Sequence, residues 1–124
     1  MSCITENTIV IKNEDIDKFE NAINDNRNKY GWIGNSKSIF SNNEYSIFVF
    51  DCNGEPLAIE EQIGFLVLET NYLDGESLHT QVYDSKTKKI RDARYRARHW
   101  IKKMIGDASF NAIRNKLVYT DRRI

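Results

Sequence analysis

Two short stretches, Ile47-Phe-Val-Phe50 and Phe65-Leu-Val-Leu68, are apolar at every position. Side chains along a strand alternate between the two faces of its sheet, so a strand of this kind needs apolar cover on both. Such strands belong in a sheet interior. The sheet must then be covered above and below, by helices on both sides or by a second copy of the chain, which makes a homodimer one expected solution.

The remaining elements are read from periodicity and turn chemistry. Thr8-Ile-Val-Ile11 is β-branched and predicts a short strand. Asn13 is placed as an N-cap with Glu14 and Asp15 in the first turn, and Ile16, Phe19, Ala22, Ile23 and Tyr30 recur at helical spacing. Lys37 to Ser41 and Tyr45 to Asp51 predict a hairpin closed by Ser41-Asn-Asn-Glu44. Tyr30-Gly-Trp-Ile-Gly34 reads as a loop pinned to the core by Trp32 and Ile33. Pro56 to Gln62 fits either a short helix or an extended segment, and Leu78 to Tyr83 alternates as a strand. Cys52-Asn53-Gly54 and Asp74-Gly75 mark turns.

From Ile90 to Ile105 the pattern becomes helical. Ile90, Ala93, Ala97, Trp100, Ile101, Met104 and Ile105 fall within an arc of roughly 140°, which predicts the buried face, with His99 pointing away from it. Gly106 then stops the helix, and Asp107 is placed as the N-cap of a second one with Phe110, Ile113 and Leu117 as its apolar stripe. The 124 residues contain no repeat or linker. The expectation is a single α+β domain over 1–124: a mostly antiparallel sheet of four to six strands, one N-terminal helix and a C-terminal helical pair.

Charge divides this domain. Residues 1–85 carry 5 Lys/Arg against 15 Asp/Glu, while residues 86–124 carry 13 against 3, so a formal net charge of zero hides −10 and +10. The basic residues are densest in Arg91-Asp-Ala-Arg-Tyr-Arg-Ala-Arg98, followed by Lys102 and Lys103. Guanidinium groups match phosphate oxygens in pairs and stay charged at any relevant pH. Arg91, Arg94, Arg98 and Lys102, with Tyr95 among them and Arg114 extending the surface, are therefore the candidate binding residues. Their ligand would be phosphate-rich, a nucleic acid or a nucleotide. The competing expectation is internal: the same cations pair with the acidic residues of the sheet. A helix-turn-helix over Ile90 to Leu117 fits poorly, because Lys102 and Asp107 stand where a small and an apolar residue belong. A helical pair packed on the sheet fits better.

Catalytic chemistry finds little support. His79 and His99 are distant in sequence, neither Cys3 nor Cys52 has a basic neighbour that would favour a thiolate, and no phosphate loop or zinc-type His pair is present. No cofactor and no metal site are expected. The one enzyme reading worth carrying is metal-assisted phosphodiester cleavage by Asp51 with Asp84 and Lys86. Two unpaired thiols suit a reducing cytoplasm, and no leader or membrane span is expected. An Asn- and Ile-rich composition without a catalytic constellation leaves a second functional class open. In it the chain is a small adaptor or inhibitor, of the kind phages encode against host or defence proteins, and recognises a protein partner.

Overall fold

Nine residues, Ile4–Lys12, form β1, the strand on which the sheet is built. The structure, a computed structural model, describes residues 4–62, 64–72, 78–84, 87, 89–93 and 97–117. β2 (Lys37–Ser41), β3 (Tyr45–Asn53), β4 (Phe65–Tyr72), β5 (Leu78–Asp84) and β6 (Lys89–Asp92) complete a sheet of order β2-β3-β1-β4-β5-β6. Every neighbouring pair is antiparallel. β1 lies between β3 and β4, the two strands whose sequences demanded an interior position.

Helices cover both faces. α1 (Ile16–Tyr30) and α2 (Leu57–Gln62) lie on one side, α3 (Ala97–Ile105) and α4 (Asp107–Ile113) on the other. Two separate cores result. Ile9, Ile11, Phe48, Phe50 and Leu68 meet Phe19, Ala22, Ile23 and Ile59 on the α1 side. Val10, Ile47, Val49 and Val67 meet Ala97, Ile101, Phe110, Ile113 and Leu117 on the α3 side. Strict alternation would put Phe65 and Val67 on the same face. A break in register between Val10 and Ile11 leaves Leu66 as the extra residue, and Phe65 thereby reaches the α1 core.

Several local expectations are corrected. Asn13 is not a helix cap: it lies in a short 3-10 turn, Asn13–Asp15, and its side chain ties the hairpin instead, donating to Asn42 O at 2.8 Å and accepting from Ser46 Oγ at 2.6 Å. Tyr30 is exposed, its hydroxyl reaching Glu61 at 3.3 Å. Ile33 does pin its loop, through a bridge to Cys52, but Trp32 is 49% exposed. Pro56 to Gln62 resolves as a short helix because buried Asn26 Oδ1 accepts the Ala58 N–H at 3.2 Å, satisfying a first-turn donor. The Asp74-Gly75 turn lies outside the described residues.

The largest correction concerns Ile90 to Ile105. Lys89–Asp92 is a strand, paired to β5 through Gln81, Val82, Tyr83 and Asp84, and the described helix is Ala97–Ile105. The edge of β5 offers unpaired backbone groups, and Lys89–Asp92 satisfies them. Ile90 consequently leaves the predicted buried face and is 43% exposed. Ala97 and Ile101 are fully buried, as the helical pattern required. Gly106, at φ 89°, turns the chain so that α4 begins at Asp107 itself, one residue earlier than an Asp107 cap implies.

Because the sheet separates the two cores, they behave as independent packing units. Ile59→Val in one and Ile101→Val in the other should each lower stability by about 0.5–1.5 kcal/mol. The double variant should show the sum to within about 0.5 kcal/mol in urea denaturation.

Candidate functional site

Strand parity and helix phase bring the described cations to the α3 side. Arg91 pairs with Val82, which pairs with Val67, a member of the α3-side core, so the Arg91 side chain projects to that side. There it meets α3. The Arg91 guanidinium carbon is 5.6 Å from the centre of the Trp100 ring and Lys103 Nζ is 5.4 Å from it, while His99 meets the same ring edge-on at 5.4 Å. Trp100 is half-buried rather than fully in the core, with its ring packed against the α3-side cluster.

Arg98 and Lys102 are four residues apart on α3 and so share a flank of it. Arg114 is exposed in the 3-10 turn Arg114–Lys116 that follows α4. Arg91 thus meets α3 on the flank of Trp100 and Lys103, while Arg98 and Lys102 lie on its other flank and Arg114 on the next element. Arg94 and Tyr95 lie outside the described residues, as do Arg96, Arg122 and Arg123. Lys102 Nζ stands 4.0 Å from Asp107 Oδ1, an exposed pair that contributes little. Among the described residues, Lys89, Arg98, Lys103, Arg114 and Lys116 form no ion pair with any described carboxylate.

The acid that the sheet does place under α3 is Glu69, fully buried. Its Oε2 accepts the Thr80 hydroxyl at 3.1 Å and the Ala97 N–H at 2.8 Å. A backbone donor at the start of the described helix therefore faces an internal carboxyl oxygen. The described cationic side chains lie on the helix flanks. Sequence reasoning missed both Glu69 and the Trp100 cluster. The parity of Val67 carried a signal for the first, since a residue two positions on shares its inward face.

The other side of the sheet holds a polar cluster at the end where β1 begins. Asn7 Nδ2 donates to Thr5 Oγ1 at 3.0 Å and to Phe50 O at 3.3 Å, and Thr70 Oγ1 donates to Asn7 Oδ1 at 2.8 Å. Thr5 Oγ1 and Cys52 Sγ both donate to Gly54 O, at 2.7 and 3.3 Å. Burial pushes the Cys52 thiol up, against the hydrogen bonds from Thr5 and Asn7 that favour a thiolate. Glu60 on α2 is pushed up to about 7, first by burial and then by Glu55, with His79 opposing and Glu61 adding to the rise. Burial, followed by the nearby Glu55 carboxylate, drives Tyr72 to about 12. Among the described groups here, Cys52, Glu60 and Tyr72 are all shifted toward their protonated forms.

The nuclease constellation does not assemble. Asp51 lies in one cross-strand row with Glu6, Asn71 and Leu78, whereas Asp84 is six positions further along β5. At about 3.3 Å per residue, roughly 20 Å separates the two rows. Lys86 lies outside the described residues. His79 Nε2 is 3.3 Å from Asp92 Oδ1, both on the α1 side near the sheet edge, and His99 is exposed on α3. Among the described residues no set of three or more His, Cys, Asp or Glu is placed to hold a metal ion. No described helix is long and apolar enough to cross a membrane.

Two outcomes follow from these placements. Glu69→Ala leaves the Ala97 N–H and the Thr80 hydroxyl without their acceptor in a dry site, and should cost about 2–4 kcal/mol of unfolding free energy. Amide exchange at the start of α3 should accelerate in parallel. Glu60 makes stability fall as pH rises from its ordinary value of 4.5 to about 7, because the folded form keeps a proton the unfolded chain has released. Above that window the loss is constant. Glu60→Gln should remove the slope and raise stability at pH 8 by about 1 kcal/mol, well below full conversion of the shift because the carboxyl is partly solvated. No protein-family model, curated protein or solved structure matches the chain.

Proposed function

We propose that the chain is a non-enzymatic binding protein for a phosphate-rich ligand, a nucleic acid or a nucleotide, engaged by its basic C-terminal part. One observation carries this reading. Arg98, Lys103 and Arg114 are not matched by described carboxylates of the fold, although acidic residues equal basic ones over the chain. The internal-pairing alternative required the sheet's acids to take up these cations. Instead, Glu55, Glu60 and Glu61 lie with α2 on the opposite face.

Cations left on the surface raise the local concentration of anions and gain further when counterions leave a bound polyphosphate backbone. Arg91 and Arg98 add directional pairs of donors, while Lys102 and Lys103 act as point charges. Binding through such side chains is strongly salt-sensitive.

A second reading, a protein-directed adaptor or inhibitor, is supported at the other end of the sheet. Trp32 is 49% exposed, Ile4 41%, Tyr30 40% and Leu57 37%, around the point where β1 starts and β3 ends. Exposed Asp51, Glu55 and Glu61 border them. A partner with apolar and basic side chains would cover such a surface.

One titration separates the readings. A labelled oligonucleotide should bind with an affinity that falls steeply as salt increases, and the paired change Arg98→Ala with Lys103→Ala should reduce the log–log salt slope by about 2. Absence of salt-dependent binding, or a slope untouched by the pair, rejects the phosphate reading and leaves the protein-directed one.

A further inference from the structure

We propose that the ligand is single-stranded nucleic acid, with a base stacked on Trp100 and neighbouring phosphates held by Arg91 and Lys103. This rests on the phosphate-binding reading above and specifies the kind of chain the surface takes.

A recognition helix of the helix-turn-helix kind lays its N-terminal residues in the major groove. The described start of α3 faces the sheet instead. Ala97 is fully buried with its N–H on Glu69, and Ile101, one turn later, is fully buried as well. The helix lies along the sheet and offers a flank, not an end.

That flank consists of an aromatic ring bordered by cations from two elements. Arg91 comes from β6 and Lys103 from α3, at 5.6 and 5.4 Å from the ring centre. The indole Nε1 is buried and makes no hydrogen bond, so the polar edge of Trp100 faces inward and the accessible part of the half-buried side chain is apolar ring. Unpaired bases have π-faces to place on such a ring, while their backbone follows the adjacent charges. In a duplex those faces are already stacked on one another. Lys103, which forms no ion pair with a described carboxylate, rests against the ring by cation–π attraction, and a phosphate offers it a stronger, charge-assisted contact. An arriving backbone therefore draws Lys103 outward and opens its side of the ring to a base.

The test uses the intrinsic reporter. The chain has two tryptophans, and Trp32→Phe, at a half-exposed position, leaves Trp100 as the sole source of tryptophan emission. The variant is titrated with fluorescein-labelled oligothymidylate, read both by anisotropy and by Trp100 emission. Its duplex with oligoadenylate and inorganic polyphosphate serve as the other two probes. The proposal expects quenching of Trp100 by the single strand, binding of the duplex about tenfold weaker, and displacement of the strand by polyphosphate without quenching. Equal or tighter duplex binding overturns it, as does strand binding by anisotropy with Trp100 emission unchanged. In either case the phosphate-binding reading survives. If none of the three polyanions binds at low salt, both fall together.

Discussion

The contact between the buried Glu69 carboxylate and the Ala97 N–H organises the C-terminal third of this molecule. A carboxylate inside a core is costly unless hydrogen bonds satisfy it, and a helix start is where backbone donors lack partners of their own. Each solves the other's problem. The pairing fixes the start of the described α3 to the sheet, leaving the described cationic side chains on the helix flanks.

The two faces of the sheet consequently differ in chemistry. On the α1 side a satisfied polar cluster of Thr5, Asn7, Thr70 and Cys52 lies beneath acidic groups whose pKa values are raised. Those groups disfavour further negative charge and supply no nucleophile. On the α3 side Arg91, Lys103 and His99 surround Trp100. The formal net charge of zero combines an acidic stretch, residues 1–85, with a basic one, residues 86–124.

The sheet edge at β6 is protected by the same charges. Its four residues are all exposed, with Lys89 and Arg91 on one face of the strand and Ile90 and Asp92 on the other. Antiparallel pairing with a second copy about a two-fold axis keeps the faces together. It would set Lys89 against the partner's Arg91, or Arg91 against its own counterpart. Like charges directly opposite destabilise such a pair, which is how edge strands avoid self-association. Apolar cover on both faces comes from the chain's own helices, so a second copy is not needed for that purpose.

The sequence by itself determined the parts that depend on periodicity: two interior strands, the hairpin at Ser41-Asn-Asn-Glu44, the N-terminal helix and the apolar stripes of α3 and α4. Those patterns survive because burial is local in origin, alternating in strands and recurring every third or fourth residue in helices. The division between β6 and α3 was not legible. Ile90 and Ala93 continue the helical spacing of Ala97 and Ile101, and only the open edge of β5 takes Ile90 into a strand. Arg98 and Lys102 could be assigned to an outward helical flank from spacing alone. The meeting of Arg91 with Trp100 depends on a strand and a helix that converge only once β5 and β6 are paired. Tertiary structure decided that, because hydrogen bonds between distant strands and the satisfaction of a buried charge leave no periodic trace in the chain that makes them.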